Sequence, residues 1–176
     1  MGETKAMTHA PFRDAPQSDY RLLRSEKVRG KLILALRTDK PEAELYLYEG
    51  NKKLAEIKWD AHRQLAETIH KQINEILNPD KKLLDKSSNF DRAGKLGYDL
   101  SNVEGIVCFK GPGSFTGLRI GLSVANAFAY AQNIPIVARD GKNWLKRGID
   151  DLLIGKNDKI VAPQYGAPAK TTSPKK

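Results

Sequence analysis

The sequence lacks the residue clusters on which small enzymes usually depend. It contains one cysteine and three histidines, and neither an H-E-x-x-H nor a G-x-S-x-G motif is present. His62 and His70 are eight residues apart, which is about 12 Å along a helix and too far for one shared metal ion. The lone Cys108 cannot form an internal disulfide, which predicts a reducing compartment. We therefore expect no catalytic residue, no metal site and no cofactor, in a cytoplasmic protein.

Long apolar runs are also missing. No stretch approaches the roughly 20 apolar residues of a membrane-spanning helix, and the first residues include no apolar segment of a secretory signal. We therefore expect no contact with a membrane. At 176 residues, the chain suits one domain with its own core.

Acidic residues are outnumbered by basic ones, 21 against 30, which gives a formal net charge of +9. The excess is densest toward the C-terminus, where residues 156–176 contain five lysines and one aspartate. A basic tail can bind a polyanion such as RNA. The other interpretation, which charge alone favours, is a solvated end that keeps the protein soluble.

Apolar patterning in the first half of the chain predicts an antiparallel meander followed by a helix. Strands are expected at residues 31–36, 43–48 and 54–59. Gly50-Asn51 supplies the backbone freedom of a tight hairpin. Apolar residues at helical spacing then predict a helix over 60–77, with Asp60 as its N-cap.

The most specific stretch is GPGSFTGLRIG at residues 111–121. An apolar run at 106–109 precedes it, a small-residue helical pattern extends from it to about Gln132, and 134–137 predicts another short strand. A strand, turn, helix and strand within about thirty residues usually close as a right-handed crossover between parallel strands. The predicted fold class is therefore α/β, with a mixed five-stranded sheet in which an antiparallel meander precedes a parallel βαβ unit.

The glycine-rich turn does not match the common nucleotide-binding loops. A Walker A loop ends in Gly-Lys-Ser/Thr, whereas Leu118 follows Gly117 here, and the glycine spacing differs from a dinucleotide fingerprint. Free backbone amides at the start of the helix, with Ser114 or Thr116 as cap, leave two interpretations open: a weak anion site and a structural turn. The residues that would approach an anion or a nucleotide are Gly111, Pro112, Gly113, Ser114, Thr116 and Gly117.

Small residues recur at every fourth position of the predicted helix, at Gly117, Gly121, Ala125 and Ala129. They form a smooth ridge that another element can approach closely. Glycine in a helix interior costs about 1 kcal/mol against alanine, so tight packing is expected to compensate. The ridge fits either the domain's own sheet or a helix of a partner subunit, and one helix can serve both with different faces.

Several further segments carry weaker patterns. Residues 1–30 are expected to be a flexible extension with a short helix around 19–27. The charged stretch 80–102 predicts a long surface loop. Near the C-terminus, 143–153 predicts a short helix and 159–163 a last strand.

The stretch GPGSFTGLRIG, its small-residue helix and the strand IPIV at 134–137 together resemble the bacterial TsaB (YeaZ) family. That family is the accessory subunit of the machinery that makes threonylcarbamoyladenosine in tRNA. The strand at 31–36 and the helix that carries His62 also resemble the family, so the likeness covers about residues 31–140. It implies a single actin-like ATPase domain, of the sugar kinase/Hsp70 type, in a non-catalytic subunit.

The resemblance also implies partners. The family associates with TsaD, which transfers the threonylcarbamoyl group to the adenosine beside the anticodon, through helices that correspond here to about 60–77 and 116–131. The expected assembly is a heterodimer with a TsaD-type transferase subunit, joined by an associated ATPase subunit. A homodimer is another assembly, and tRNA would bind indirectly or through the basic tail. The residues expected at the interface are His62, Leu65, Ile69, Gly117, Leu118, Gly121, Leu122 and Ala125.

The sequence departs from the family's pattern in two places. Arg37-Thr38-Asp39 stands where family members carry Asp-Thr-Ser, which argues against nucleotide hydrolysis. The family's second domain is expected to be largely absent, as in a truncated form. After the 31–140 domain, only a helix and strand remnant at 141–163 and the basic tail at 164–176 are expected. The alternative function is a small nucleotide-binding phosphotransferase or ATPase that uses the 111–117 turn.

Overall fold

The computed structural model describes residues 30–78 and 98–166, which form a five-stranded sheet with helices on both faces. The strands are β1 (Leu32–Arg37), β2 (Glu42–Glu49), β3 (Lys52–Asp60), β4 (Gly105–Phe109) and β5 (Ile136–Arg139). The helices are α1 (Leu65–Leu77), α2 (Phe115–Gln132) and α3 (Trp144–Leu153), with a short 3-10 helix at Leu100–Asn102. The predicted 1–30 extension with its helix around 19–27, most of the predicted 80–102 loop and the tail beyond 166 lie outside the described residues.

The strand order is β3-β2-β1-β4-β5. β2 pairs antiparallel with both β1 and β3, whereas β4 pairs parallel with both β1 and β5. In the middle of the sheet, Ala35 lies between Tyr46 of β2 and Val107 of β4. The predicted mixed five-stranded α/β sheet, with a meander before a parallel βαβ unit, is confirmed.

Helices cover both faces of the two central strands, which explains why β1 and β4 are nearly continuous apolar runs. Successive side chains of a strand point to opposite faces. Leu34 and Cys108 pack in the larger core cluster with α1 and α2, whereas Ala35 and Val107 pack in a second cluster with α3. The sheet therefore forms the middle layer of three, with α1 and α2 on one side and α3 on the other.

The first helix begins later than the sequence predicts. β3 continues to Asp60, which pairs with Glu42 of β2, and residues 62–64 form a turn in which Arg63 has a φ of 60°. The Asp60 carboxylate accepts a hydrogen bond from the His62 amide at 3.0 Å and does not cap the helix. The predicted N-cap at Asp60 and the placement of His62 on the helix are wrong, because strand pairing extends the hairpin up to this turn.

No sixth strand joins the sheet within residues 30–78 and 98–166. Asp158 covers the free edge of β5: its N–H donates to the Ile136 carbonyl at 2.8 Å, and its carboxylate accepts another β5 amide at 2.9 Å. The backbone of Val161 is held by the side-chain amide of Asn126 in α2, through hydrogen bonds of 2.8 and 3.0 Å. The strand predicted at 159–163 is wrong, because Val161 is held by a side chain of α2 and it is Asp158, before this segment, that bonds to the edge of β5.

Candidate functional site

The glycine-rich turn joins β4 to α2 and is fixed to the loop between β1 and β2. The Ser114 N–H donates to the Asp39 carbonyl at 2.8 Å, and Ser114 Oγ accepts from the Gly117 N–H at 3.2 Å. Ser114 is thus the N-cap of α2, whereas Thr116, the other predicted cap, lies in the first helical turn and is exposed. The cap satisfies one of the backbone amides that would otherwise be free for an anion.

The small residues of α2 face the domain's own core. A Cβ at Gly117 would overlap the carbonyl oxygen of Thr38, and a Cβ at Gly121 would overlap the Thr38 hydroxyl. Ala125 and Ala129 continue the same stripe and are buried. Of the two interpretations of the ridge, packing against this domain is therefore the one that the structure shows.

The segment that ends the described chain covers another side of the turn. The Gln164 N–H donates to the Lys110 carbonyl at 2.7 Å, and the Tyr165 ring stacks on the Phe115 ring with centroids 4.4 Å apart. The turn is therefore held on two sides, by the loop after β1 and by this segment, while residues 112–116 stay exposed. Ser114, Thr116 and Gly117 also line a cavity between the first turns of α1 and α2.

Arg37 and Asp39 bind each other beside the turn. Arg37 Nε and one terminal nitrogen donate to the Asp39 carboxylate at 2.5 and 3.1 Å. The hydrogen bond to Asp39 raises the pKa of Arg37, although burial opposes it. The same carboxylate lies close to Gly113, so a phosphate that entered the turn would meet a negative charge while Arg37 is already paired. These residues do not fit a nucleotide phosphate.

Most residues predicted at a partner interface are buried in the core of this domain. The buried ones are Leu65, Ile69, Leu118, Gly121, Leu122 and Ala125. His62 is exposed and Gly117 is half-buried. Leu65 and Gly117 line a cavity between α1 and α2, whereas the other buried side chains face the core of the domain. The predicted interface set stays a prediction. The sequence pattern identifies the apolar stripe of each helix but not what covers that stripe.

An open groove separates α1 from α2 on the outer face of the helical layer. Two cavities lie along it, of about 490 and 400 Å³. The larger one is lined by Ile73 of α1 and by Val124 and Phe128 of α2. The smaller one lies between the first turns of both helices, against Leu65 and Thr116. The two helices therefore run parallel, and the groove follows them both.

Leu100 adds an apolar side chain to this groove. It belongs to the short 3-10 helix that precedes β4, lines the larger cavity and is 45% exposed. A large apolar side chain so exposed beside half-buried Val124 and Phe128 makes an apolar patch of the kind that proteins use for association. The groove, rather than the buried stripe, is the candidate functional site.

Three basic residues line the smaller cavity. Lys40 belongs to the loop between β1 and β2, whereas His62 and Arg63 belong to the turn between β3 and α1. All three are exposed. Neither Lys40 nor Arg63 forms an ion pair with any residue that the structure describes. Sequence reasoning missed Lys40 and Arg63 because they belong to no motif and are far apart along the chain.

Cys108 has no place in this site. It lies in β4 with no exposed surface, and burial raises the pKa of its thiol. Within the two described ranges, no three His, Cys, Asp or Glu side chains are grouped so that they could hold a metal ion. Among the helices of those ranges, none is long and apolar enough to cross a membrane.

Comparison with known proteins links the chain to tRNA modification enzymes through the turn and α2. The family model for TsaD, described as tRNA N6-adenosine threonylcarbamoyltransferase, matches residues 91–138. A tRNA N6-adenosine threonylcarbamoyltransferase from Syntrophus aciditrophicus (strain SB) is 46% identical over 41 residues, which are 23% of this chain and 12% of that protein. The match therefore spans about an eighth of that relative.

Two solved structures resemble the described fold. One is YeaZ from Pseudomonas aeruginosa, and the other is described as an uncharacterized protein with similarity to peptidase YeaZ, from the same organism. Each is 26% identical with a TM-score of 0.49 over 62% of this chain, and 44% and 43% of the respective relatives are covered. The chain thus spans less than half the length of either protein.

The family-model match includes β4, the glycine-rich turn and all of α2. The identity of 46% to a curated transferase is high over the short stretch that it covers. The sequence resemblance depends on the same elements, above all the glycine-rich turn and α2. The predicted resemblance is thereby confirmed: this chain is similar to the TsaB (YeaZ) and TsaD proteins, above all through residues 91–138.

Proposed function

We propose that the chain is a non-catalytic subunit that binds and activates a TsaD-type transferase in the threonylcarbamoyladenosine modification of tRNA, at the adenosine next to the anticodon. The observation that carries the proposal is the apolar groove between α1 and α2. One wall of the groove, α2, lies wholly within the segment that matches the TsaD model. In this proposal the groove is the docking site for helices of the transferase.

The groove has the chemistry of a protein–protein contact. Val124 and Phe128 are only half-buried, and Leu100 lies beside them. Covering such side chains with a partner removes apolar surface from water, at about 25 cal/mol for each Å². Ser123 and Ala127 of α2, which also line the groove, are small and exposed. Small residues let a second helix approach closely.

The surroundings of the turn support a non-catalytic role. The paired Arg37 and Asp39 stand beside the turn, and Gln164 and Tyr165 cover another side of it. A phosphotransferase would need side chains here that are free to hold a phosphate or a metal ion, whereas Arg37 and Asp39 bind each other. We therefore favour the accessory subunit over the alternative phosphotransferase or ATPase.

In this proposal, the other partners do not bind in the groove. The associated ATPase subunit and tRNA would join through the transferase, and tRNA could also contact the basic tail. A homodimer formed through the same groove would compete with the transferase. Formation of the heterodimer is therefore expected to depend on the relative concentrations of the two subunits.

The test is a binding titration with the TsaD-type transferase of the same organism, together with its threonylcarbamoyl transfer to tRNA. Ala127→Arg places a long charged side chain on an exposed groove position and is expected to weaken binding about 100-fold, as loss of a central contact does. Tyr130→Arg introduces the same side chain elsewhere on α2, at a residue that is 90% exposed, and should bind like wild type.

Circular dichroism should show the same helix content in all three proteins. The proposal fails if the wild-type chain forms no complex with the transferase. It also fails if Ala127→Arg binds and activates the transferase as well as the wild-type chain does.

A further inference from the structure

We propose that the partner presents a carboxylate side chain to the basic end of the groove, where Lys40 and Arg63 bind it. This inference rests on the proposed function, since it concerns the same docking site. It adds a second element of recognition to the apolar contact and fixes which end of a partner helix lies at which end of the groove. It thereby predicts one acidic position on the partner.

The groove differs in chemistry between its two ends. At one end the cavity is lined by Ile73, Val124 and Phe128. At the other end, next to the first turns of α1 and α2, it is lined by Lys40 and Arg63. Because both cavities lie between the same two parallel helices, one helix placed along the groove would meet both ends. A helix that fits is apolar along one stripe and acidic near one terminus.

The positive charges at this end are not neutralised within the described chain. Lys40 and Arg63 form no ion pair with any residue in the ranges 30–78 and 98–166. Of two nearby carboxylates, Asp39 is paired with Arg37, whereas Asp60 accepts only the amide of His62 and keeps its negative charge. Two unpaired cations at the mouth of one cavity attract an anion and repel a cationic surface.

The backbone of Arg63 lies in the turn between β3 and α1, with a φ of 60°, and its side chain is exposed. A guanidinium can bind both oxygens of a carboxylate at once, which adds direction to the attraction. Lys40, from a separate loop, contributes a second charge. His62 in the same turn supplies a further polar group.

A protein carboxylate fits this cavity better than an RNA backbone. Nucleic-acid sites present several cations in a row, because the phosphates repeat along the chain. Here Ala61, Leu65 and Ile120 share the cavity wall with the two permanent cations, and the apolar cavity lies farther along the same two helices. An isolated negative charge on an otherwise apolar helix matches this arrangement.

The experiment measures affinity, association rate and salt dependence for the full chain and the TsaD-type transferase. Lys40→Glu and the double variant Lys40→Gln/Arg63→Gln test the basic end. Lys142→Glu is the matched control, because Lys142 is exposed, lies just before α3 on the opposite face of the sheet, and carries the same charge. The neutral double variant removes the positive charges without introducing a negative one.

We expect both basic-end variants to weaken binding about 10- to 100-fold, mainly by slower association, and to reduce its salt dependence. Lys142→Glu should change affinity less than about twofold. Replacing the matching acidic residue of the transferase by lysine should restore binding to Lys40→Glu. Such rescue would identify the carboxylate directly.

Three outcomes would overturn the inference. If wild type binds and Ala127→Arg abolishes binding, but the basic-end variants bind normally, only this inference fails and the proposed function stands. If the basic-end variants lose affinity for tRNA but not for the transferase, the site binds RNA phosphate instead of a protein carboxylate. If wild type does not bind the transferase at all, the proposed function fails and the inference with it.

Discussion

Gly121 of α2 lies directly against the side chain of Thr38 at the end of β1. A Cβ at position 121 would overlap the Thr38 hydroxyl and lie 3.0 Å from the Thr38 Cβ. Thr38 is itself buried, so it has little room to move away. The contact sets how closely the helix that carries the TsaD-like segment approaches the sheet, and it explains why glycine stands inside a helix.

Replacing Gly121 by alanine should lower the free energy of unfolding by about 1–3 kcal/mol, because overpacking outweighs the helix propensity that alanine gains. Thr38→Ala in the same chain should recover part of the loss, since it removes the overlapping hydroxyl and methyl group. Urea unfolding of the four members of this cycle gives the coupling energy.

Ser123→Ala is the control, as it adds helix propensity at an exposed position of α2. It should leave stability unchanged or raise it slightly. A Gly121→Ala variant as stable as wild type would mean that α2 does not approach Thr38 as closely as the structure shows.

Breaking the pair between Arg37 and Asp39 should destabilise the fold. The Asp39 side chain is only 5% exposed, whereas that of Arg37 is 21% exposed. Arg37→Met leaves the buried carboxylate without its partner, and we expect a loss of about 1–3 kcal/mol, below the range for a fully buried pair because water reaches Arg37.

The double variant Arg37→Met/Asp39→Asn also removes the Asp39 charge, which the single variant leaves without a partner. It should be more stable than Arg37→Met alone when both are compared by thermal unfolding at neutral pH. Equal stability of the two variants would show that the carboxylate is solvated after all.

Acid unfolding should depend on Asp151. Hydrogen bonds from Lys156 and Arg139, each 2.6 Å long, lower the pKa of Asp151. The pKa in the folded state is thus below the unfolded value of about 3.9, so the carboxylate stabilises the fold above that pH and the contribution disappears as pH falls through the folded pKa.

Asp151→Asn should therefore be less stable than wild type at pH 7, and the difference should narrow between about pH 5 and pH 2. Urea midpoints across this range measure the effect. Asp150→Asn, at the exposed neighbouring position, should lose stability with falling pH as wild type does. If Asp151→Asn also does so, Asp151 does not stabilise the fold in this way.

Cys108 should report on unfolding of the central sheet. It is the only cysteine of the chain, is fully buried in β4 and has a pKa raised by burial. A thiol reagent at pH 8 should react at least about 1,000-fold more slowly than with an exposed cysteine, because the thiolate is needed for attack. In denaturant, one thiol per chain should react rapidly. Fast labelling of the native protein would show that β4 opens readily.

Local patterns were sufficient to predict most elements of the fold. The apolar runs and the Gly50-Asn51 turn predicted the meander, and the periodicity of 143–153 predicted α3 within one residue. The strand predicted at 134–137 lies two residues later, at Ile136–Arg139. These successes reflect interactions among near neighbours along the chain, which a sequence pattern records directly.

The two wrong elements fail for a tertiary reason. Asp60 has the side chain of an N-cap, but pairing of β3 with β2 extends the strand to that residue. Residues 159–163 have the composition of a strand. However, Asn126 binds the backbone of Val161, and Asp158 binds the edge of β5 where another strand would pair. In both places, hydrogen bonds from elsewhere in the chain outweigh the local secondary-structure propensity.

The sequence by itself determined the α/β class, the strand–turn–helix unit and the likeness to the TsaB and TsaD proteins, because these depend on contiguous residues. Only the tertiary structure decided which side of each helix is free. The packing of Gly121 on Thr38 turns the ridge inward and leaves the Val124 side of α2 exposed to the groove. The tertiary structure also brings together Lys40 and Arg63, which no local pattern connects. The two loops that carry them meet at the start of that groove.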